Sequence, residues 1–342
     1  MNGRDRTLAA IHGQPHDRVP VAQHDFAFAA RHVGLTMKEY AFEPERAAQA
    51  LADTADDFGY DCIIVDCDTC VLAEAMGATI TFTGDEPARI DRAPLQSIRD
   101  ARQLRVPDPH RDGRLPLWLE TTRRLRDKVG NQLAILARAD QGPFGLLGLL
   151  RDPPSFLLDL LDEPAEDIFA ALASCREAGV LFAQAQLAAG ADITSIGDSL
   201  SGESLLSPEM YRRFSQPFER QYKQALGAGL LSVHICGQSN HIIEDMVKTG
   251  AEILELDHLN DLPRSLATIA NRCCVFGNID PSAVLYQGTP SFVKDQCRQA
   301  IVSARRRNAR FVLCPGCLVM ANTPPENVQA MTEAAAEFGR YE

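Results

Sequence analysis

Leu230-Leu231-Ser232-Val233-His234-Ile235-Cys236-Gly237 reads as an apolar strand that ends, just before a glycine, in a histidine and a cysteine. Residues two apart on a strand share a face, so His234 and Cys236 project together from its C-terminal end. A second strand-like run, Phe311-Val312-Leu313, leads into Cys314-Pro315-Gly316-Cys317. A thiolate from that distant loop completes three soft ligands, with Cys317 and Cys314 as the contenders. One imidazole and two thiolates suit a tetrahedral zinc and leave one position open, the layout of a catalytic site.

Similar runs recur along the chain. Strands are expected at Arg18–Ala22, Asp61–Asp66, Leu133–Arg138, Asp192–Gly197, Leu231–Cys236, Ile253–Asp257, Cys274–Asn278 and Arg310–Cys314. They are apolar and largely unalternating, as strands buried on both faces should be. Helical stretches separate them, among them Glu43–Phe58, Leu117–Val129, Pro164–Ala189, Pro208–Ala228, Ser291–Asn308 and Pro325–Phe338. Ser207-Pro208-Glu209 orders a capping hydroxyl, a first-turn proline and an acid. Eight strand–helix alternations predict an α/β fold, a (β/α)8 TIM barrel, better than a doubly wound sheet. No linker or repeat interrupts the pattern, so residues 1–342 are expected to form one domain. The longest insertion, about Met76 to Val129 after the second strand, predicts a flap over one end.

Chemistry in such a barrel sits where strands meet the loops that follow. Those points are polar here: His24, Asp25, Asp66, Asp68, Arg138, Asp140, Asp198, His234, Cys236, Asp257, His258, Asn278, Asp280, Cys314 and Cys317. The zinc contenders thus share one rim.

The 342 residues are 45% hydrophobic and 23% charged, with net charge −12, which argues against a nucleic-acid surface. No apolar stretch is expected to approach the roughly 20 residues that span a bilayer. Met1-Asn2-Gly3-Arg4-Asp5-Arg6 opens no signal-peptide core, so a cytoplasmic enzyme is expected. Ten cysteines in a reducing compartment suggest metal or catalytic use before disulfides. Cys62, Cys175, Cys273, Cys274 and Cys297 read as small core residues.

The sequence resembles the uroporphyrinogen decarboxylase superfamily, in particular its zinc-dependent, corrinoid-linked methyltransferase branch. The matching segments are Asp198-Ser-Leu-Ser-Gly-Glu-Ser-Leu-Leu-Ser-Pro-Glu-Met-Tyr211, His234-Ile-Cys236-Gly, Gly277-Asn-Ile-Asp-Pro281 with Gly288-Thr-Pro290, and Pro315-Gly-Cys317 with Asn322-Thr-Pro-Pro-Glu-Asn327. The resemblance implies zinc on His234, Cys236 and Cys317, preferring Cys317 over Cys314. It also implies methyl transfer from a methylated cobamide to a small thiol such as coenzyme M, with a corrinoid carrier protein as partner. A related zinc enzyme opens epoxides with coenzyme M, which supplies an alternative electrophile. The decarboxylase itself fits less well, because Asp25-Phe-Ala-Phe-Ala-Ala-Arg31-His-Val-Gly34 holds one arginine where that enzyme has a pair.

Further expectations follow. Asp198 orients His234 or serves as a labile fourth ligand, unless it satisfies backbone amides in its own loop; Glu203 is a weaker contender. Asn278 and Asp280 shape the substrate pocket, though Asp280 before Pro281 also reads as a helix cap. Arg138 is a contender for anchoring the thiol. Asp108-Pro-His110-Arg-Asp-Gly113 spells a cobalamin-binding pattern but lies in a proline-rich loop without the accompanying module, and is read as chance. Cys67-Asp-Thr-Cys70 and Cys314-Pro-Gly-Cys317 invite a four-cysteine zinc, which would leave His234 and Cys236 without purpose. Gly142-Pro-Phe-Gly-Leu-Leu-Gly148 lacks a phosphate-loop lysine and is expected to pass close to the substrate or the flap.

Overall fold

Alternate residues of each strand belong to different packing layers, and this alternation builds the fold. The computed structural model describes residues 1–341. Its strands are β1 (Ala22–Gln23), β2 (Cys62–Val65), β3 (Thr79–Thr81), β4 (Arg89–Arg92), β5 (Ala134–Gln141), β6 (Ile193–Gly197), β7 (Leu230–Ile235), β8 (Ile253–Leu256), β9 (Cys274–Ile279) and β10 (Phe311–Pro315). Eight of them pair in parallel in the order β1-β2-β5-β6-β7-β8-β9-β10. A parallel bridge between Val21 and Leu313 joins the two edges into a nearly closed barrel. β3 and β4 form a separate antiparallel hairpin after β2, the core of the predicted insertion.

One set of strand residues forms a compact cluster: Ala22, Cys62, Ile64, Ala134, Leu136, Ile193, Ile253, Cys274, Phe276, Val312 and Cys314. Their neighbours Ile63, Val65, Ile135, Leu231, Val233, Leu254, Val275 and Leu313 join the larger cluster that includes the helices. The first set fills the barrel, and the second faces outward. Continuing the inward parity toward the strands' C-terminal ends gives Asp66, Arg138, Ser195, Ser232, His234 and Glu255. The barrel interior is therefore apolar below and polar above.

Two expectations need amendment. The first strand is short because Arg18 is drawn to Asp61 (2.6 Å) and pairs as a bridge with Arg340, so the ladder starts at Ala22. Gly142–Gly148 opens a helix, Pro143–Arg151, with Pro143 in its first turn. The helix Ala165–Ala188 is long and apolar enough to cross a membrane, contrary to the expectation that no such stretch exists. Ile168, Leu172, Phe182 and Ala183 on this helix are buried in the main core, whereas Phe169 and Leu181 are exposed.

Candidate metal centre

β7 delivers His234 inward, and its register pairs His234 with Glu255 of β8 and with Gly197 of β6. The imidazole Nδ1 lies 3.1 Å from the Glu255 carbonyl oxygen. A carbonyl only accepts, so Nδ1 carries the proton and Nε2 is left as the ligand atom. Cys236 follows, its sulfur 3.0 Å from His234 Nε2 and 3.6 Å from Ser199 Oγ. Gly237 then turns the chain in the left-handed region (φ 78°), its N–H donating to Asp257. Cys317 arrives from the loop after β10. Gly316 makes that approach possible, since a Cβ there would lie 2.4 Å from the His258 nitrogen. Val319 N–H, donating to the His24 carbonyl, fixes the far side of the loop.

The donor atoms of His234, Cys236 and Cys317 all lie within 4.8 Å of one another, and the group could hold a metal. Zinc–sulfur and zinc–nitrogen lengths of roughly 2.3 and 2.0 Å put tetrahedral donors roughly 3.5–4 Å apart, so the group fits zinc with small movements. No other group of three meets the same spacing among the described residues. The Cys317 hydrogen bond draws the Cys236 thiol down to about 7, against its burial and helped by Ser199. The same contact, with burial, pushes Cys317 up to about 12. Burial lowers and Cys317 raises the His234 imidazole, with the balance above its ordinary value. Cys314 lies inside the barrel among Val312 and Phe276, and burial pushes its thiol up. Cys67 and Cys70 are buried apart from this group; Cys67 lies against Asp68 (3.2 Å) and Cys70 against the Ala88 carbonyl.

The group opens into a cavity of about 280 Å3, which Phe26, Pro87, Ala88 and Leu318 line on the apolar side. Pro87 and Ala88 precede or approach β4, so the insertion contributes to the cavity. Arg138 lines it as well, donating to Ser195 (2.7 Å) and to Glu255 Oε2 (2.8 Å), with Asp66 3.5 Å from Nε. Burial alone would raise Glu255, but Arg138, His234, Ser195 and Ser232 outweigh it and bring the carboxyl to about 2. Sequence reasoning missed Glu255; the available signal was a lone charge at an inward position of Ile253-Leu-Glu-Leu256.

The remaining contenders lie elsewhere. The Asp198 carboxylate is fully buried and accepts from Gly145 N–H (2.5 Å) in the first turn of Pro143–Arg151 and from Ser215 Oγ (3.1 Å). Only its backbone N–H reaches His234, donating to the carbonyl at 2.8 Å. Glu203 accepts from His241 N–H. Asn278 donates to the carbonyls of Asn260 and Asp257, and Asp280 caps Pro281–Tyr286 through Ser282 and Ala283. Both border a neighbouring groove with His258, not this cavity.

A parallel barrel carrying a metal-capable His/Cys/Cys group at its C-terminal mouth defines a class of barrel enzymes. Residues 2–338 match the uroporphyrinogen decarboxylase (URO-D) family, and the chain belongs to it. The chain is 30% identical, over 98% of each sequence, to the methylcobamide:CoM methyltransferase MtaA of Methanosarcina barkeri (strain Fusaro). It is 27% identical, over 95% of each, to a uroporphyrinogen decarboxylase of Syntrophotalea carbinolica. A solved methyltransferase from Methanosarcina mazei superposes with a TM-score of 0.91 at 28% identity, covering 99% of both chains.

Proposed function

We propose that the protein is a zinc-dependent methyltransferase that moves a methyl group from a methylated cobamide to a small thiol, the acceptor class to which its relatives' coenzyme M belongs. The convergence of His234, Cys236 and Cys317 within 4.8 Å at the floor of a cavity carries this reading. Zinc, when bound, holds the acceptor sulfur and lowers its pKa so that it reacts as a thiolate. His234 presents Nε2 because Glu255 holds Nδ1, and Ser199 supports the Cys236 sulfur. Asp198 enters as a positioning group through its backbone N–H to His234. Phe26, Pro87, Ala88 and Leu318 keep water from the acceptor, and the cavity admits a small thiol while the corrin lies across its mouth. The exchange balances: the thiol proton goes to solvent, the S–CH3 bond forms, and the cobalt–carbon bond breaks with its electron pair on cobalt, so Co(III) becomes Co(I). A corrinoid carrier protein is the proposed partner, and residues 1–342 act as one catalytic domain.

Decarboxylation is the weaker reading. Arg31, the single arginine of Asp25–Gly34, is exposed and borders a separate groove with Phe28, His32 and Asn322. It does not serve the cavity as a carboxylate anchor.

The test is metal content together with turnover. Wild-type protein should hold one zinc per chain and demethylate methylcobalamin only when thiol is added. Cys236→Ala should lose most of the zinc and at least about 100-fold in rate. Full activity in zinc-free protein would refute the reading.

A further inference from the structure

The cavity that holds the metal-capable group is also lined by three carboxylates, Asp66, Asp68 and Asp140. Among the described residues its only lysine or arginine is Arg138. That guanidinium is already engaged by Glu255 at 2.8 Å and approached by Asp66 at 3.5 Å. Asp68 is neutralised by Arg114, 2.7 Å away, and Asp66 accepts from His24 Nε2 at 2.8 Å. Asp140 differs from both. Its Oδ2 accepts from Leu72 N–H at 2.6 Å, whereas Oδ1 is buried with no partner. The residue is 3% exposed. Burial raises its carboxyl to about 8, the behaviour of an acid without a counter-charge.

The backbone at Asp140 departs from regular strand geometry. Asp140 has φ 63°, and the pairing of β5 with β6 shifts register between Arg138 and Gln141. Left-handed aspartate at an irregular strand end is a local departure that packing has to sustain, and such departures concentrate at binding sites. An orphan buried acceptor also has a cost, which a donor on a ligand would remove.

We propose that the acceptor thiol carries an ammonium group, which is held beside the carboxyl groups of Asp140 and Asp66, and that a sulfonate tail is disfavoured. The inference rests on the methyl-to-thiol reading above and narrows it. An anionic tail would enter a cavity whose one guanidinium is spent and would be buried beside carboxylates. An ammonium forms a charge-assisted hydrogen bond there. Were a divalent ion held by His234, Cys236 and Cys317, two cysteine thiolates and a substrate thiolate would bring the total to −1, which a cationic tail would balance.

The experiment presents zinc-loaded protein and methylcobalamin with 2-aminoethanethiol, 2-mercaptoethanol, 2-mercaptoethanesulfonate and, separately, tetrahydrofolate. The KM for 2-aminoethanethiol should lie about tenfold below that for 2-mercaptoethanol, with the sulfonate weakest. Calorimetric binding of the three thiols without methyl donor should give the same ranking. Asp140→Asn keeps the shape and tolerates the left-handed backbone. It should raise the KM for 2-aminoethanethiol about tenfold more than that for 2-mercaptoethanol. Equal losses for both thiols in Asp140→Asn, or a wild-type preference for the sulfonate, would overturn the inference; the wild-type ranking stands even if the variant does not fold. Methylation of all three thiols without charge discrimination sinks this inference alone. Transfer to none of them, or to tetrahydrofolate instead, sinks the methyl-to-thiol reading and this inference with it.

Discussion

Two buried polar networks flank β6, and they treat their acids in opposite ways. Toward the cavity, Glu255 accepts from Arg138, from Ser195 Oγ (2.5 Å) and from Ser232 Oγ (2.7 Å), and its carboxyl sits at about 2. Behind the strand, Asp198 and Glu219 share Ser215 Oγ at 3.1 and 3.2 Å, and Tyr211 OH donates to Glu219 at 2.6 Å. Both of these acids are pushed up, first by burial and, for Glu219, by the Asp198 charge next. All three carboxyls are buried and well supplied with hydrogen bonds. The difference is a guanidinium, present in one network and absent from the other. Hydroxyls and amides alone do not offset the loss of water around a second charge, so the rear pair retains a proton that the front acid gives up.

The comparison breaks hardest at Glu255. Glu255→Gln leaves the buried Arg138 with only Asp66, 3.5 Å away, against its charge, and should destabilise the fold by about 3 kcal/mol. The measurement is the urea midpoint of unfolding. Replacing both partners, Arg138→Met with Glu255→Leu, should recover much of that stability, because no buried charge is left alone. If the single variant is as stable as wild type, the ion pair does not hold the cavity floor.

A smaller effect, of opposite sign, is expected behind the strand. The rear pair has folded-state pKa values above those of free carboxyls, so the native state binds more protons than the unfolded chain between the ordinary carboxylate range and neutrality. Stability contributed by this pair therefore falls as pH rises through that window. Glu219→Gln reproduces the protonated form, with its amide donating toward Ser215 and its oxygen accepting from Tyr211. It should flatten the decline and leave the variant more stable than wild type by about 1 kcal/mol above pH 8. Thermal unfolding followed from pH 5 to 9 checks this. A variant that is less stable throughout would mean that the pair is ionised and satisfied as it stands.

How much of this was legible in sequence depended on whether direction could be read. The strand period of two was enough to put His234 and Cys236 on one face, and strand–loop boundaries put Cys317 on the same rim. All eight barrel strands were legible as apolar runs, to within a few residues. Glu255 escaped because one charge inside Ile253-Leu-Glu-Leu256 looks like noise until β7 and β8 are in register. Asn278 and Asp280 share the rim but border the next groove, since rim membership does not say which way a loop residue turns. Asp198 is the clearest case. Its partner is the first turn of Pro143–Arg151, where a glycine-rich stretch gives little intrinsic helical signal and Pro143 alone marks the N-terminus that takes the acid.

That helix end supplies the smallest and most discriminating prediction. The Asp198 carboxylate meets Gly145 N–H and Ser215, whereas its backbone N–H, which reaches His234, is indifferent to the side chain. Asp198→Asn keeps the acceptor at Gly145 and removes a charge from the helix N-terminus, a change of about 0.3–1 kcal/mol. Zinc should remain at one per chain, with the rate of methylcobalamin demethylation within about threefold of wild type. Loss of zinc from Asp198→Asn would require the carboxylate to leave Gly145 and swing onto the metal, joining the two networks that the fold keeps apart.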